Sequence, residues 1–208
     1  MESSLKFHLK NAVLLLAIIS LSVSITINFR PLYAFFVNRY HLYQEVGLTK
    51  KQLLSEYDTL LNYLNFPWIK HLQLSIPMSQ SGMKHFADCK ILFVFDYTVC
   101  LLTLPFAIFY VRKLVKKRQT WRLINPIRWC FVVMFALGIF LVTDFEDSFV
   151  KFHEMLFRNS DWIFDPETDP IILALPAEFF MACFILFIIL FVIFQGILFV
   201  RGKWEIRH

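Results

Sequence analysis

The sequence predicts an all-α integral membrane protein: a bundle of four transmembrane helices with two extracytoplasmic segments that contain amphipathic helices. Three observations carry this. Of 208 residues, 58% are hydrophobic and Phe alone supplies 25, which is too apolar for a soluble domain of this size. Four apolar runs come close to or exceed the ~20 residues that cross a hydrocarbon core of ~30 Å. Lys and Arg are segregated by loop, and cytoplasmic loops are the ones that carry such an excess.

The elements follow in order. The first span, about 11–28, reads NAVLLLAIISLSVSITIN. Lys6 and Lys10 in front of it, and Ser22-Val23-Ser24 within it, weakly imitate a cleaved signal peptide. Its apolar run is longer than most signal cores, so the segment is expected to be retained. Residues 30–90 form the first excursion. There Thr49 and Gln52 make a T-x-x-Q capping box, and Leu53, Tyr57, Leu60, Leu61 and Leu64 recur at helical spacing. This amphipathic helix ends near Phe66-Pro67, and either plain packing or substrate gating fits it.

The second span covers about 91–111. The loop after it, RKLVKKRQTWRLINPIR, has seven basic residues and no acid. The third span covers about 127–143. Residues 144–174 then hold eight acids against Lys151 and Arg158. Within them Phe145, Phe149, Phe152 and Leu156 share a helical face with His153 at its edge, and a DPETDP turn follows. The fourth span covers about 175–200, with Pro176 suited to a helix start. Both termini and the basic loop are therefore expected in the cytoplasm, with 30–90 and 144–174 outside. The net charge of +5 reflects this bias and an affinity for anionic lipid headgroups. It calls for no nucleic acid. The whole of 1–208 reads as a single membrane domain without internal repeats.

Candidate chemistry concentrates outside. His85 stands at the mouth of the second span, three residues before Asp88, where helical neighbours meet. Asp88 would then orient its ring and favour its charged form. His153 lies at the same depth on the other outer segment. Asp96 and Glu178 sit inside spans, where an acid signals either function or a buried pairing. His8 and His208 are terminal; His41 and His71 suit structural roles. Cys100, Cys130 and Cys183 lie in spans as inert thiols. Cys89 is at the outer surface but has only Lys90 nearby to activate it. There is no G-x-S-x-G elbow, phosphate-binding glycine loop, H-E-x-x-H or zinc spacing. No cofactor and no metal are expected.

Two stretches carry a family resemblance. HFADCK at 85–90 resembles a His-x-x-Asp-x-Lys motif that leads into a transmembrane helix. FHEMLFRNSDWIFDPETDPIILALPAEFF at 152–180 resembles a second motif of Phe-His, Asn, Trp, an Asp-Pro turn and a Pro-Glu-aromatic helix entry. With four spans in this orientation, the chain resembles the bacterial lipoprotein intramolecular transacylases. Cys89 departs from the small aliphatic residue expected there. The resemblance implies an acyltransferase of the bacterial cell membrane whose partners are membrane lipids and a diacylated lipoprotein N-terminus. It would move the sn-2 acyl chain of diacylglyceryl-cysteine to the α-amine and give a lyso-form lipoprotein. His85 would act as base, oriented by Asp88, and His153 as acid or oxyanion donor, or the reverse. Asn159, Trp162, Asp165, Asp96 and Glu178 would support them. Two other classes fit the residues less well: a membrane ester hydrolase and a non-enzymatic helper subunit.

Overall fold

The computed structural model describes residues 4–208, and no strand occurs among them. The helices are α1 (Ser4–Ile27), α2 (Arg30–Tyr40), α3 (Leu42–Glu45), α4 (Lys50–Asn65), α5 (Gln80–Lys116), α6 (Ile124–Thr143), α7 (Phe145–Leu156), α8 (Ile171–Ala174) and α9 (Ala177–Arg207); a 3-10 turn (Thr120–Leu123) precedes α6. Leu5–Ile27, Gln80–Lys116, Thr120–Phe140 and Ala177–Arg207 are long and apolar enough to cross a membrane. The protein is thus all-helical and membrane-integral, as the sequence predicts. One boundary differs. The second span is part of a longer helix that starts at Gln80, so the i, i+3 pair His85 and Asp88 stands on its first turns.

The chain packs as two compact units. One comprises 4–26, Asp96–Thr143 and Ile185–His208. Its core joins Leu14, Ala17 and Ile18 of α1 to Ala107, Tyr110 and Leu114 of α5, Ile127 and Met134 of α6 and Phe191 of α9. Outward it presents Leu101, Phe109, Trp129, Phe135, Ile197 and Val200, each more than 60% exposed. Apolar exposure on this scale suits hydrocarbon and not water. Asp96 belongs here: its Oδ2 accepts a hydrogen bond from the Ser24 hydroxyl of α1 at 2.7 Å. That pairing satisfies an acid inside a span.

The other unit comprises Ile27–Phe95 and Asp144–Phe184. Its core is aromatic. Tyr33 of α2 stacks on Tyr57 of α4 with ring centroids 3.7 Å apart, and Phe179 of α9 meets both edge-on. The Tyr33 hydroxyl donates to the Ala174 carbonyl at 3.1 Å. Burial pushes both tyrosine hydroxyls above their ordinary pKa, so they stay neutral donors. The capping box forms as expected: Thr49 Oγ1 accepts from Gln52 N–H while the Gln52 side chain accepts from Thr49 N–H. His41 takes a left-handed conformation, φ 53°, at the junction of α2 and α3.

Candidate active site

The first wall of the site is the start of α5. Ser79 Oγ accepts from Gly82 N–H at 3.0 Å, which caps the helix. Asp169, far along the chain and buried, accepts from Ser79 N–H at 2.7 Å and from the Thr168 hydroxyl at 2.8 Å. Burial alone would raise the pKa of this carboxyl; the hydrogen bonds from Ser79 and Thr168 outweigh that and hold it below the usual value. Gly82 is required by the approach, since a Cβ there would lie 2.4 Å from Asp169 Oδ1. Three residues on, His85 is buried, with its ring edge-on to Phe157 at 4.9 Å and to Phe164 at 5.5 Å between centroids. One turn further, Cys89 Sγ lies 3.4 Å from His85 Nε2. Lys90 donates to the Ile69 carbonyl and sits 4.2 Å from the centroid of the Tyr63 ring, pinning the 66–79 segment and α4 to α5.

The second wall is α7. Asp144 caps it by accepting from Asp147 N–H at 3.1 Å. That cap makes α7 a new helix after α6 rather than a continuation. The sequence's aromatic face is real: Phe149 packs on Phe180, and Phe145 and Phe152 on Phe184. His153 is half-buried at the end of this face. Its Nδ1 lies 2.8 Å from the Phe149 carbonyl oxygen. A carbonyl only accepts, so Nδ1 carries the proton and Nε2 of the neutral ring keeps its lone pair. The His153 ring is 5.0 Å from that of Trp162 and 5.9 Å from that of His85.

The segment after α7 ties the walls together through Asn159. Its Nδ2 donates to Asp88 Oδ2 at 3.0 Å and its Oδ1 accepts from Asp161 N–H at 3.1 Å. Its own carbonyl accepts from the Trp162 indole N–H at 2.9 Å. A carboxylate only accepts and a backbone N–H only donates, so these two contacts fix the amide's orientation from both sides. Asp161 also pairs with Lys84 at 2.5 Å.

His153 lies outside the four membrane-crossing helices. Burial lowers its pKa, and the weaker opposing effect of the Phe149 carbonyl does not restore it. The sign is clear: a lowered histidine pKa leaves more neutral imidazole near neutral pH. In a histidine-labelled protein, the NMR titration midpoint of His153 is expected below the ~6.5 of a free imidazole. A midpoint above that would mean a charged partner faces the ring, and this description of its surroundings would be wrong.

The family model for Lit, lipoprotein intramolecular transacylase, matches residues 9–180. The chain belongs to this family. The chain is similar to an in meso structure of the membrane integral lipoprotein intramolecular transacylase Lit from Bacillus cereus, at 29% identity and a TM-score of 0.85, covering 96% of this chain and 97% of that one. Two variants of that protein are also similar. One, with a histidine-to-alanine change, has 27% identity, a TM-score of 0.78 and coverage of 98% and 96%. The other, with a histidine-to-arginine change, has 28% identity, a TM-score of 0.72 and coverage of 98% and 94%. No curated protein matches the chain.

The expected residues separate. His85, His153, Asp88, Asn159 and Trp162 gather within one unit. Asp88 does not hold the ring of His85: its hydrogen bond goes to Asn159, because that ring is turned among Phe157, Phe164 and Cys89. Asp165 is exposed and shapes the DPETDP turn, its Oδ1 accepting from Glu167 N–H at 3.0 Å. Asp96 pairs with Ser24 in the other unit. Glu178 is exposed on the first turn of α9, where a carboxylate complements the helix dipole. Sequence reasoning missed Asp169, the walls Phe157 and Phe164, and the Phe149 carbonyl. Cys89 was weighed only for its own reactivity; its place four residues from His85 on one helix is the signal for their contact.

Proposed function

We propose that this membrane-integral acyltransferase moves the sn-2 acyl chain of a diacylglyceryl-cysteine N-terminus from its glycerol oxygen to the α-amine of the same molecule. The observation that carries the reading is the histidine pair, with ring centroids 5.9 Å apart and an Nε2 on His153 that keeps its lone pair. Nucleophile and electrophile arrive in one substrate, so the protein's task is orientation and proton transfer. The amine attacks the ester carbonyl, and His153 Nε2 takes the proton that the nitrogen must lose. Neutral His85 donates to the carbonyl oxygen as negative charge develops on it. The tetrahedral intermediate then collapses. The C–N bond is kept, the bond from the acyl carbon to the glycerol oxygen breaks, and His153 returns its proton to that oxygen. No proton is gained or lost overall. The ring hydrogen bonds thus favour His153 as the base and His85 as the donor, the reverse of the allocation first expected. Phe157, Phe164 and Trp162 surround the rings with apolar surface, where such hydrogen bonds are stronger than in water.

The same reading makes 1–208 one working membrane domain of a bacterial cell membrane, with both termini and the basic 112–128 loop cytoplasmic. Residues 30–90 and 144–174 then meet the lipoprotein in the outer leaflet. Single cysteines at Ser55 and Ser160 in a cysteine-free protein should react with an impermeant thiol reagent in intact cells, and one at Gln119 should not. Labelling confined to Gln119 would invert the orientation. The activity itself is tested by giving the purified protein a defined diacylglyceryl lipopeptide in detergent, without phospholipid. The peptide's α-amine should stop reacting with amine reagents. If blocking requires added phospholipid, the acyl donor is another molecule and the reading fails.

A further inference from the structure

Cys89 is the least expected member of the site. It stands one helical turn after His85, and its Sγ is 3.4 Å from His85 Nε2 and 4.0 Å from Nδ1. Among the described residues no oxygen atom bonds either ring nitrogen of His85. The thiol is therefore the polar group that meets this ring.

The thiol's own state follows from its neighbours. A free thiol titrates at ~8.5 unless a cation or a helix N-terminus lowers it. The two lysines on adjacent turns are committed elsewhere: Lys84 to Asp161, and Lys90 to the Ile69 carbonyl and the Tyr63 ring. The sulfur thus keeps its proton and donates it. A nitrogen that accepts from S–H must hold a lone pair, so in neutral His85 the ring proton sits on Nδ1. Other groups face this ring as well. From α7 there is His153; from the segment after α7, Asp161, already paired with Lys84; from α5 itself, Asp88, already bonded to Asn159. None of these is bonded to a nitrogen of His85.

We propose that Cys89 is a positioning residue of the acyl transfer: its thiol donates to Nε2 of His85 and so holds the ring in the Nδ1–H tautomer that serves as the oxyanion donor. This rests on the role given to His85 above.

The test compares the full-length protein with Cys89→Ala and Cys89→Ser, with His85→Ala and Cys183→Ala as references. Cys89→Ala should lower kcat about tenfold, a fraction of what losing an oxyanion donor outright costs, with KM unchanged. Its pH profile should also differ from the parent's on the acid side, because the neutral ring has lost a donor that favours it. Cys89→Ser retains a donor and should recover most of kcat and the original pH profile. Ring 15N signals of His85 should report Nδ1–H in the parent and Ser proteins and a mixture of tautomers in Cys89→Ala. Cys183→Ala should match the parent. If Cys89→Ala keeps the parent kcat, pH profile and 15N signals while His85→Ala is inactive, the proposal is wrong and the transfer reading stands. If His85→Ala is itself active, the role of His85 fails and the proposal fails with it. An acyl thioester trapped on Cys89 would also overturn it, because the cysteine would then be a nucleophile.

Discussion

Alanine at His153 is expected to cut the acyl-transfer rate by ~10²–10⁴, the range for losing a general acid–base group. The protein should still accumulate in the membrane, because His153 is half-buried at a helix end and its neighbours pack through Phe149 and Phe152. Alanine at His85 should cost ~10²–10³, as for losing one oxyanion donor. His85 is buried among Phe157 and Phe164, so His85→Gln is the companion variant that keeps the space filled. The double variant should be little worse than His153→Ala alone, since groups serving one transition state do not add. Single-turnover rates on a defined lipopeptide decide the matter. Additive losses would mean that the two rings serve separate steps, and near-normal rates in either single variant would remove it from the mechanism.

The next largest effect is expected where no reacting atom is touched. The bond from Asn159 to Asp88 holds the 157–164 segment against α5, and that segment carries Phe157, Trp162 and Phe164 to the two rings. Asp88→Ala and Asn159→Ala should each slow the reaction by roughly 10- to 100-fold, the effect of misplacing groups by about an ångström. The double variant should lose no more than the worse single, because both remove one contact. Thermal stability should fall modestly in each. The check is a double-mutant cycle on kcat. Independent, multiplying effects would show that Asp88 acts on His85 directly, as the sequence first suggests, and not through Asn159.

Much of this was legible before any coordinates, and for physical reasons. Spans follow from apolar length, a local property of the chain. The capping box at Thr49 and the aromatic face of α7 are likewise patterns over a turn or two. What could not be read depends on long-range partners. Asp88 and His85 are neighbours on a helix, but only the fold shows that Asp88 turns to Asn159, 71 residues away. Asp169 looks like one more acid in a turn until it meets Ser79 and Gly82. Asp96 and Glu178 have the same sequence signal, an acid in an apolar run. Yet one bonds Ser24 and the other faces out. The tautomer of His153 rests on a backbone carbonyl, that of Phe149, which no side-chain pattern reveals.

The central claim is that the acyl group never leaves its molecule, and intact mass with fragmentation tests it most directly. A lipopeptide treated with this protein should keep its mass. Its fragments should show one acyl chain retained on the cysteine nitrogen as an amide and one left on glycerol. Hydrolysis would lower the mass by one fatty acid and leave the amine free. Transfer from a phospholipid would raise the mass by one acyl chain and block the amine. Unchanged mass with a blocked amine is the result this account predicts, and either change in mass contradicts it.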